Sequence, residues 1–395
     1  MSRPVEIGGG GLAELTCARL LAGRGHRIRL PPPGPGAAGA VAAGAGTPGT
    51  AGQGRTGPGT AGSRPLLLTG PALELLDSLW GPGLLDGTWE VTHRQVRWGD
   101  GPPARFAQPG RVVDGVELAL RMRERLAEHD TDPGAADPWE GPPCWVVTAR
   151  ADRPPARSSP WGPSRTPTGG EPAGAPVEPA VPPPVRSPAA EVTPEPERVA
   201  GRRRLLAGTA PLRVGADERT AVLGTAEGGW AHLTPLGCGA ALVQAMVPGP
   251  AGDPVALLAR LAAETGLGAL LRRPPRSATA IPAAPLLHPS PATAPAGDAP
   301  GRLLVGAGAI RYDPLSGTGT AQALRTGILA AAVVDAAARG SAPPRALCAH
   351  YAARLRAAYA EHQRSCARLY GSAFPGPAWS DELDAARACA APSRG

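Results

Sequence analysis

Residues 5–30 read VEIGGGGLAELTCARLLAGRGHRIRL, and this stretch decides the fold. It begins with a short apolar strand, passes through a run of glycines, and continues with Leu15, Ala18 and Leu21 at helical spacing. Residues 27–30 then alternate between charged and apolar side chains, which is typical of a strand. The stretch therefore predicts a strand, a glycine turn, a helix and a second strand, which together form a βαβ unit.

The composition excludes several classes of protein. The chain has 395 residues with 54 glycines and 50 prolines, and because it contains no lysine, all 40 positive side chains are arginines. Without lysine there is no Schiff-base enzyme and no Walker A phosphate loop. Aromatic residues make up only 4% of the chain, which argues against a surface that stacks RNA bases.

Charge and cysteine spacing indicate the environment. The formal net charge is +7, but the arginines are spread along the chain. The one basic run, at residues 202–204, is expected to be solvated surface, so we predict no nucleic-acid partner. The six cysteines form no C-x-x-C pair, and no apolar run reaches the length of about 18 residues that a membrane span needs. These features predict a cytoplasmic protein with no membrane partner and no metal site.

Changes in composition divide the chain into eight segments. We expect a βαβ unit at 1–30, a low-complexity loop at 31–63, a mixed segment at 64–153, a disordered Pro-rich linker at 154–199, a sheet with a helix at 200–284, a linker at 285–300, a loop with a helix at 301–340 and a helical region at 341–395. Within the fifth segment, residues 221–247 predict a hairpin that turns at 235–237, and residues 255–271 predict a helix.

Two glycine-rich motifs precede predicted helices. Gly9-x-Gly11 directly after a strand is the start of a dinucleotide fingerprint, in which the backbone approaches a pyrophosphate at the positive end of a helix. The second motif, VGAGAIRYDPLSGTGT at 305–320, places Gly317 and Gly319 immediately before a long helix. Unpaired N–H groups at that helix N-terminus would suit an anionic ring edge. The alternative is that the glycines only begin the helix.

Three stretches together resemble a known family. They are residues 5–30, GGWAHLTPLGCGAALVQAMV at 228–247, and GRLLVGAGAIRYDPLSGTGTAQALRTGILAA at 301–331. They resemble FAD-dependent monooxygenases of the aromatic-hydroxylase and tryptophan-halogenase superfamily. The DPLSGTG run is most similar to the flavoprotein maturases of lysine oxidases and quinohemoprotein amine dehydrogenases. The resemblance implies an α/β fold, in which a Rossmann-like FAD-binding domain of discontinuous segments carries an inserted β-sheet substrate domain.

The resemblance also implies where FAD would lie. The diphosphate would contact the first glycine loop, the ribityl chain would pass the end of a later strand, and the flavin ring would face the second loop. Carried onto this sequence, the cofactor-binding residues are Gly9, Gly10, Gly11, Ala13, Gly306, Ala307, Pro314, Leu315, Ser316, Gly317, Thr318 and Gly319.

Several positions depart from the pattern of the family. Glu14 replaces the third fingerprint glycine, and a carboxylate about 4 Å from the pyrophosphate would repel it by about 4 kcal/mol at an effective dielectric of about 20. The alternative is a side chain that points to solvent. Leu30 runs directly into prolines, so the acidic residue expected at the adenosine ribose is missing. Gly115, Ala151 and Ala307 also stand where the family has FAD-binding residues.

Two functions remain open at this point. The resemblance implies an FAD-dependent monooxygenase that hydroxylates an aromatic or peptide-borne substrate, with reduced flavin supplied by a separate reductase. The alternative is a non-catalytic, FAD-degenerate relative that binds a partner protein or peptide. His232 is a candidate for orienting a substrate hydroxyl or moving a proton, or else is hydrogen-bonded within its sheet. Asp313 is a weaker candidate, since it also fits a cap that organises the second loop.

Overall fold

The computed structural model describes residues 4–31, 65–129, 143–150, 197–249 and 252–390. Most of the predicted loop at 31–63 and of the predicted linker at 154–199 lies outside the described residues, as does Ala151.

Sixteen strands are present in the described residues. They are β1 (Val5–Ile7), β2 (Ile28–Arg29), β3 (Pro65–Thr69), β4 (Trp89–Arg97), β5 (Ala104–Asp114), β6 (Trp145–Thr148), β7 (Arg198–Val199), β8 (Arg204–Pro211), β9 (Thr220–Ala226), β10 (Gly229–Gly237), β11 (Ala240–Val247), β12 (Thr279–Pro282), β13 (Leu286–Leu287), β14 (Ala292–Thr293), β15 (Gly301–Leu304) and β16 (Ile310–Arg311). They form three sheets.

The first sheet confirms the predicted βαβ unit. Its order is β14-β15-β6-β1-β2, and β15, β6, β1 and β2 run parallel. Parallel neighbours need crossover connections, so the sheet is assembled from the start, the middle and the end of the chain. The predicted α/β class, with a first domain built from discontinuous segments, is confirmed in this sheet.

The second sheet has eight strands in the order β12-β8-β11-β10-β9-β4-β5-β3. Its neighbouring strands are antiparallel except for the parallel pair β4 and β9. The sheet therefore combines residues 65–114 with residues 204–282. A small third sheet has the order β16-β13-β7.

Seven α-helices accompany the sheets in the described residues. They are α1 (Leu12–Ala22), α2 (Gly70–Trp80), α3 (Gly115–His129), α4 (Pro254–Glu264), α5 (Gly319–Ala338), α6 (Pro344–Ala373) and α7 (Ser380–Ala390).

Helices α1 and α5 pack closely against each other. A Cβ atom added to Gly327 in α5 would lie only 2.3 Å from the carbonyl oxygen of Ala13 in α1. The glycine thus permits close packing of α5 against the start of α1. Among the described helices, α5 alone is long and apolar enough to cross a bilayer, and 56% of its most apolar window is buried inside the fold.

Three predictions about local structure were wrong in detail. The predicted hairpin at 221–247 is three strands, and β10 turns into β11 at Cys238 and Gly239, whose φ angles of 53° and 72° suit a tight hairpin turn. The predicted helix at 255–271 ends at Glu264, because Gly266 adopts a φ of 79° that ends an α-helix.

The third correction concerns the predicted linker at 285–300. This segment contains β13 and β14, which pair with strands of the third sheet and of the first sheet. Its proline content suggested a segment without regular structure. Strands this short are fixed by their neighbours in the fold and leave no periodicity that the sequence alone would reveal.

Candidate functional site

The first glycine loop lies between β1 and α1. The N–H of Gly8 donates to the carbonyl oxygen of Val147 at 2.7 Å, which joins the loop to the end of β6. Gly11 is the N-cap of α1 in an extended conformation. The loop therefore presents the positive end of α1 beside the carboxyl end of β6, as expected of a dinucleotide fingerprint.

Glu14 points into this loop and away from solvent. Its Oε2 accepts a hydrogen bond from the N–H of Gly11 at 2.9 Å, and its Oε1 accepts one from the N–H of Ala149 at 2.8 Å. A Cβ atom added to Gly9 would lie 2.6 Å from each carboxylate oxygen. Of the two orientations open from the sequence, the structure adopts the inward one.

The remaining predicted diphosphate contacts also have protein neighbours. A Cβ on Gly10 would lie 3.0 Å from a terminal nitrogen of Arg123, whose other terminal nitrogen donates to the carbonyl oxygen of Pro31 at 2.7 Å. Ala13 is buried, and its Cβ lies 3.4 Å from the position that a Cβ on Gly306 would take. The guanidinium of Arg123 therefore lies between the glycine loop and the end of β2, where the family has its ribose-binding acid.

The second loop is organised by Asp313. Its Oδ1 accepts from the N–H of Leu315 at 2.8 Å, which caps the short turn Pro314–Ser316. Ser316 Oγ donates to the carbonyl oxygen of Asp313 at 2.8 Å, and Gly317 adopts a φ of 61°. Helix α5 then begins without a side-chain cap at Thr318, so its first N–H groups have no side-chain acceptor at that position.

The residues that precede this loop differ in exposure. Gly306 is buried, and its N–H donates to Thr326 Oγ1 in α5 at 2.8 Å. Ala307, which replaces the Asp of the family, is exposed. The described loop therefore offers an apolar methyl group at the position where the resemblance implies a contact with the ribityl chain.

A buried charged network lies beneath the second loop. The guanidinium of Arg203 lies 2.8 Å from Asp313 Oδ2 through Nε and 3.1 Å from Glu382 Oε2 through Nη1. Tyr370 donates its hydroxyl to the Asp313 carboxylate at 3.0 Å. Burial raises the pKa of Asp313, and Arg203 opposes that shift. Burial alone would lower the pKa of Arg203, but Asp313, Tyr370 and Glu382 raise it.

The ring of His362 also supports the second loop. Its Nε2 accepts from the backbone N–H of Asp313 at 2.8 Å, and its ring stacks on Tyr312 with centroids 4.1 Å apart. Burial, followed by the charge of Arg203, lowers the pKa of His362 to about 4. The ring is therefore neutral at pH 7, as an acceptor nitrogen requires.

The second sheet faces this loop. Leu315 packs into the cluster that contains Trp230 of β10, and Trp230 donates its indole N–H to the Tyr370 hydroxyl at 3.0 Å. His232 lies two residues further along β10, on the same face, opposite Gln244 of β11. The structure thus brings the second loop, through Leu315, against the face of β10 that carries Trp230 and His232.

His232 has an unusual electrostatic environment. Burial, followed by the positive charge of Arg94, lowers its pKa to about 3, although a hydrogen bond with Gln244 opposes the shift. Among the described residues, His232 Nε2 and Arg94 Nε are buried polar atoms without a hydrogen-bond partner. Unpaired buried polar atoms are rare in folded proteins, so these two atoms are candidates for a contact with a ligand.

Sequence reasoning missed the network below the loop. Arg203 belongs to the basic run expected to be solvated surface, and that expectation was wrong, because this side chain is 1% exposed. Glu382 and Tyr370 lie in no sequence motif that would single them out. A buried ion pair between distant segments leaves no local pattern, so nothing in the sequence distinguished Arg203 from its exposed neighbour Arg202.

Solved structures of other proteins share the fold of this chain. No family model matches the chain, and no curated protein matches it by sequence. Among solved structures, the peptidyl tryptophan dihydroxylase QhpG superimposes with a TM-score of 0.63 at 17% identity, covering 97% of this chain and 79% of that one. The flavin-dependent halogenase CmlS gives 0.63 at 15% identity, with 98% and 67% covered. The probable FAD-dependent monooxygenase PqsL from Pseudomonas aeruginosa gives 0.53 at 16% identity, with 98% and 99% covered.

These similarities define the class of fold. The chain has the fold of FAD-dependent monooxygenases and flavin-dependent halogenases. The resemblance inferred from the three sequence stretches is confirmed at the level of the fold.

The two glycine loops differ in how well they would fit FAD. The second loop would fit the flavin ring, because α5 begins without a side-chain cap and Asp313 organises the loop. The first loop does not fit the diphosphate while Glu14 holds its present position, since the carboxylate takes the N–H groups of Gly11 and Ala149.

Proposed function

We propose that the chain is an FAD-dependent oxidoreductase of the monooxygenase class. The observation that supports it most directly is the second loop with the uncapped N-terminus of α5, set opposite a sheet face that carries His232 and Trp230. FAD, when bound, would supply the redox chemistry, as cofactors do in enzymes of this kind. The predicted cofactor-binding residues of the second loop, from Pro314 to Gly319, belong to this proposal.

The chain's own residues would have three roles. The N-terminus of α5 would stabilise negative charge at the edge of the flavin ring, because a helix N-terminus carries positive potential. Trp230 and Leu315 would form an apolar wall that excludes water. His232, neutral at pH 7, would hydrogen-bond a polar group of the substrate through its unpaired Nε2.

The substrate proposed is an aromatic compound or an aromatic side chain on a peptide. The similarity to a peptidyl tryptophan dihydroxylase, which covers 97% of this chain, supports the peptide-borne form. A separate reductase that supplies reduced flavin belongs to the same proposal. So does a cytoplasmic location, which agrees with six cysteines that are all free thiols.

A charge at the start of α5 tests the flavin site. Gly319 is exposed, and a side chain there would meet no atom within 4 Å, so Gly319→Asp should fold normally. We expect the added carboxylate to disfavour anionic reduced flavin by about 1 kcal/mol, or about 20 mV for a two-electron couple. The measurement is the reduction potential of the bound flavin after reconstitution with FAD.

A matched control is available at the start of another helix. Gly252 precedes α4, is exposed, and also has no atom within 4 Å of an added Cβ, so Gly252→Asp should leave the potential unchanged. Equal potentials in both variants would remove α5 from the flavin site. If saturating FAD gives no bound-flavin spectrum in wild type, the proposed function itself is wrong.

The inward Glu14 favours a second candidate function. A chain whose glycine loop is filled by its own carboxylate is compatible with a non-catalytic relative that uses the fold to bind a partner protein or peptide. This candidate predicts that wild type binds no FAD even at millimolar concentration. A titration that saturates below that concentration would reject it.

A further inference from the structure

The carboxylate of Glu14 takes up the donor groups of the first glycine loop. One oxygen accepts from the N–H of Gly11 at the start of α1, and the other accepts from the N–H of Ala149 after β6. The side chain is 3% exposed. An anion is therefore already present at the positive end of α1, and it is supplied by the chain itself.

The position of this carboxylate conflicts with a dinucleotide. In a fingerprint of this type, the glycine backbone must approach the pyrophosphate closely. Here both carboxylate oxygens lie 2.6 Å from the place where a Cβ on Gly9 would be. The space above Gly9, which glycine would keep open for phosphate, is filled.

The carboxylate of Glu14 forms no ion pair in the described residues. Its hydrogen-bond donors are the backbone N–H groups of Gly11 and Ala149. Arg123 approaches the neighbouring Gly10, but it donates to the carbonyl oxygen of Pro31. An incoming diphosphate would thus meet both the volume and the negative charge of the carboxylate.

We infer that Glu14 is an internal competitor for the diphosphate of FAD. FAD binds at this loop only when the carboxylate gives up its two backbone donors, so affinity is held low and FAD is an exchangeable ligand. The inference rests on the proposed use of FAD and concerns how that site is controlled. It agrees with a supply of reduced flavin from outside the protein.

Two substitutions separate the volume of the side chain from its charge. Glu14→Gly removes both, and Glu14→Gln keeps the shape and removes the charge. We expect FAD affinity to rise about tenfold in Glu14→Gln and about a hundredfold in Glu14→Gly, below the roughly thousandfold given by one unit-charge repulsion at 4 Å and an effective dielectric of about 20. Affinity is measured by flavin fluorescence in a titration with FAD.

Two controls isolate the diphosphate. Glu74 is an exposed helical residue of α2, so Glu74→Gly and Glu74→Gln repeat the same changes in helix propensity and net charge at another helix. Riboflavin has the flavin ring but no phosphate, and we expect its affinity to be equal in wild type and in both Glu14 variants. Circular dichroism of each variant without ligand checks that α1 remains folded.

The outcomes are distinct. The inference is supported if FAD affinity is highest in Glu14→Gly, intermediate in Glu14→Gln and lowest in wild type. Riboflavin affinity and the FAD affinity of the Glu74 variants should stay at the wild-type values. Equal FAD affinity in wild type and both Glu14 variants overturns it and leaves the proposed function standing. If no variant binds FAD although all are folded, Glu14 is not the limiting group, and the proposed use of FAD fails as well.

Discussion

The two glycine loops of this chain have similar sequences around them but differ in whether a side chain of the protein fills them. Each lies at the N-terminus of a helix, and each has a carboxylate close by in sequence. In the first loop, Glu14 turns back onto the backbone N–H groups and fills the loop. In the second loop, Asp313 turns down toward Arg203, and the start of α5 has no side-chain cap.

The difference shows what decides whether a helix N-terminus is available to a ligand. Both carboxylates are almost fully buried, so each needs partners to offset the loss of hydration. Asp313 accepts one backbone N–H of its loop, that of Leu315, and its other partners are the guanidinium of Arg203 and the hydroxyl of Tyr370. Glu14 has no cation partner in the described residues, and the backbone donors of the loop are its partners instead. The N-terminus of a helix is left free only if the partners of the nearby carboxylate do not include its first N–H groups.

We expect the largest effect on this difference between the loops from removing Arg203, the cation that pairs with Asp313. Arg203→Met keeps the apolar bulk and leaves Asp313 and Glu382 buried without their shared cation. We expect a loss of about 3–5 kcal/mol in the free energy of unfolding, measured by chemical denaturation. Arg202→Met, in the exposed neighbour, should change stability by less than about 0.5 kcal/mol. Equal effects would mean that the network does not hold the second loop.

The contact between α1 and α5 joins the two helices that follow the glycine loops. Gly327→Ala would place a methyl group 2.3 Å from the carbonyl oxygen of Ala13, so one helix must move. We expect a loss of about 1–3 kcal/mol by thermal or chemical unfolding. Gly371→Ala in α6 has only an ordinary 3.8 Å contact with Leu383, and it should stabilise by up to about 1 kcal/mol through helix propensity. A neutral Gly327→Ala would show that the helices are less closely packed.

The pH dependence of stability sharpens the account of the second loop. His362 has a pKa lowered to about 4 in the folded protein, against about 6.5 in an unfolded chain. Between these values the unfolded chain binds the extra proton, so stability is lost as pH falls from about 6.5 to 4, by up to about 1.4 kcal/mol per pH unit. His362→Gln should reduce that slope, measured by denaturation at several pH values.

The control for this prediction lies on the same helix. His350 is exposed on α6, and His350→Gln should leave the slope of wild type unchanged. Other buried groups, such as His232, contribute to the slope in all three proteins, so the difference between slopes reports on His362 alone. A His362→Gln protein with the wild-type slope would contradict the neutral acceptor assigned to this ring.

The fold could be predicted from the sequence where its signals are local. Residues 5–30 formed the expected parallel unit, because helical spacing and glycine placement are encoded within a few residues. The long helix α5 followed its loop for the same reason. The short strands at 286–293 could not be predicted, since only pairing with distant strands makes them regular.

The candidate site divides in the same way. The two glycine motifs could be recognised from the sequence, and so could the departures from the family pattern, including Glu14. The direction of the Glu14 side chain could not, because one of its two donors is Ala149, which lies 135 residues away in sequence. The burial of Arg203 depended on Glu382, which is 179 residues away.

The sequence by itself thus determined the βαβ unit, the two glycine loops and the helices that follow them, because each rests on the order of neighbouring residues. Only the tertiary structure decided that one loop is filled by Glu14 while the other is supported from below by Arg203. The physical reason is that a buried carboxylate binds whichever donors the fold brings within reach, and those donors come from segments that meet only after folding.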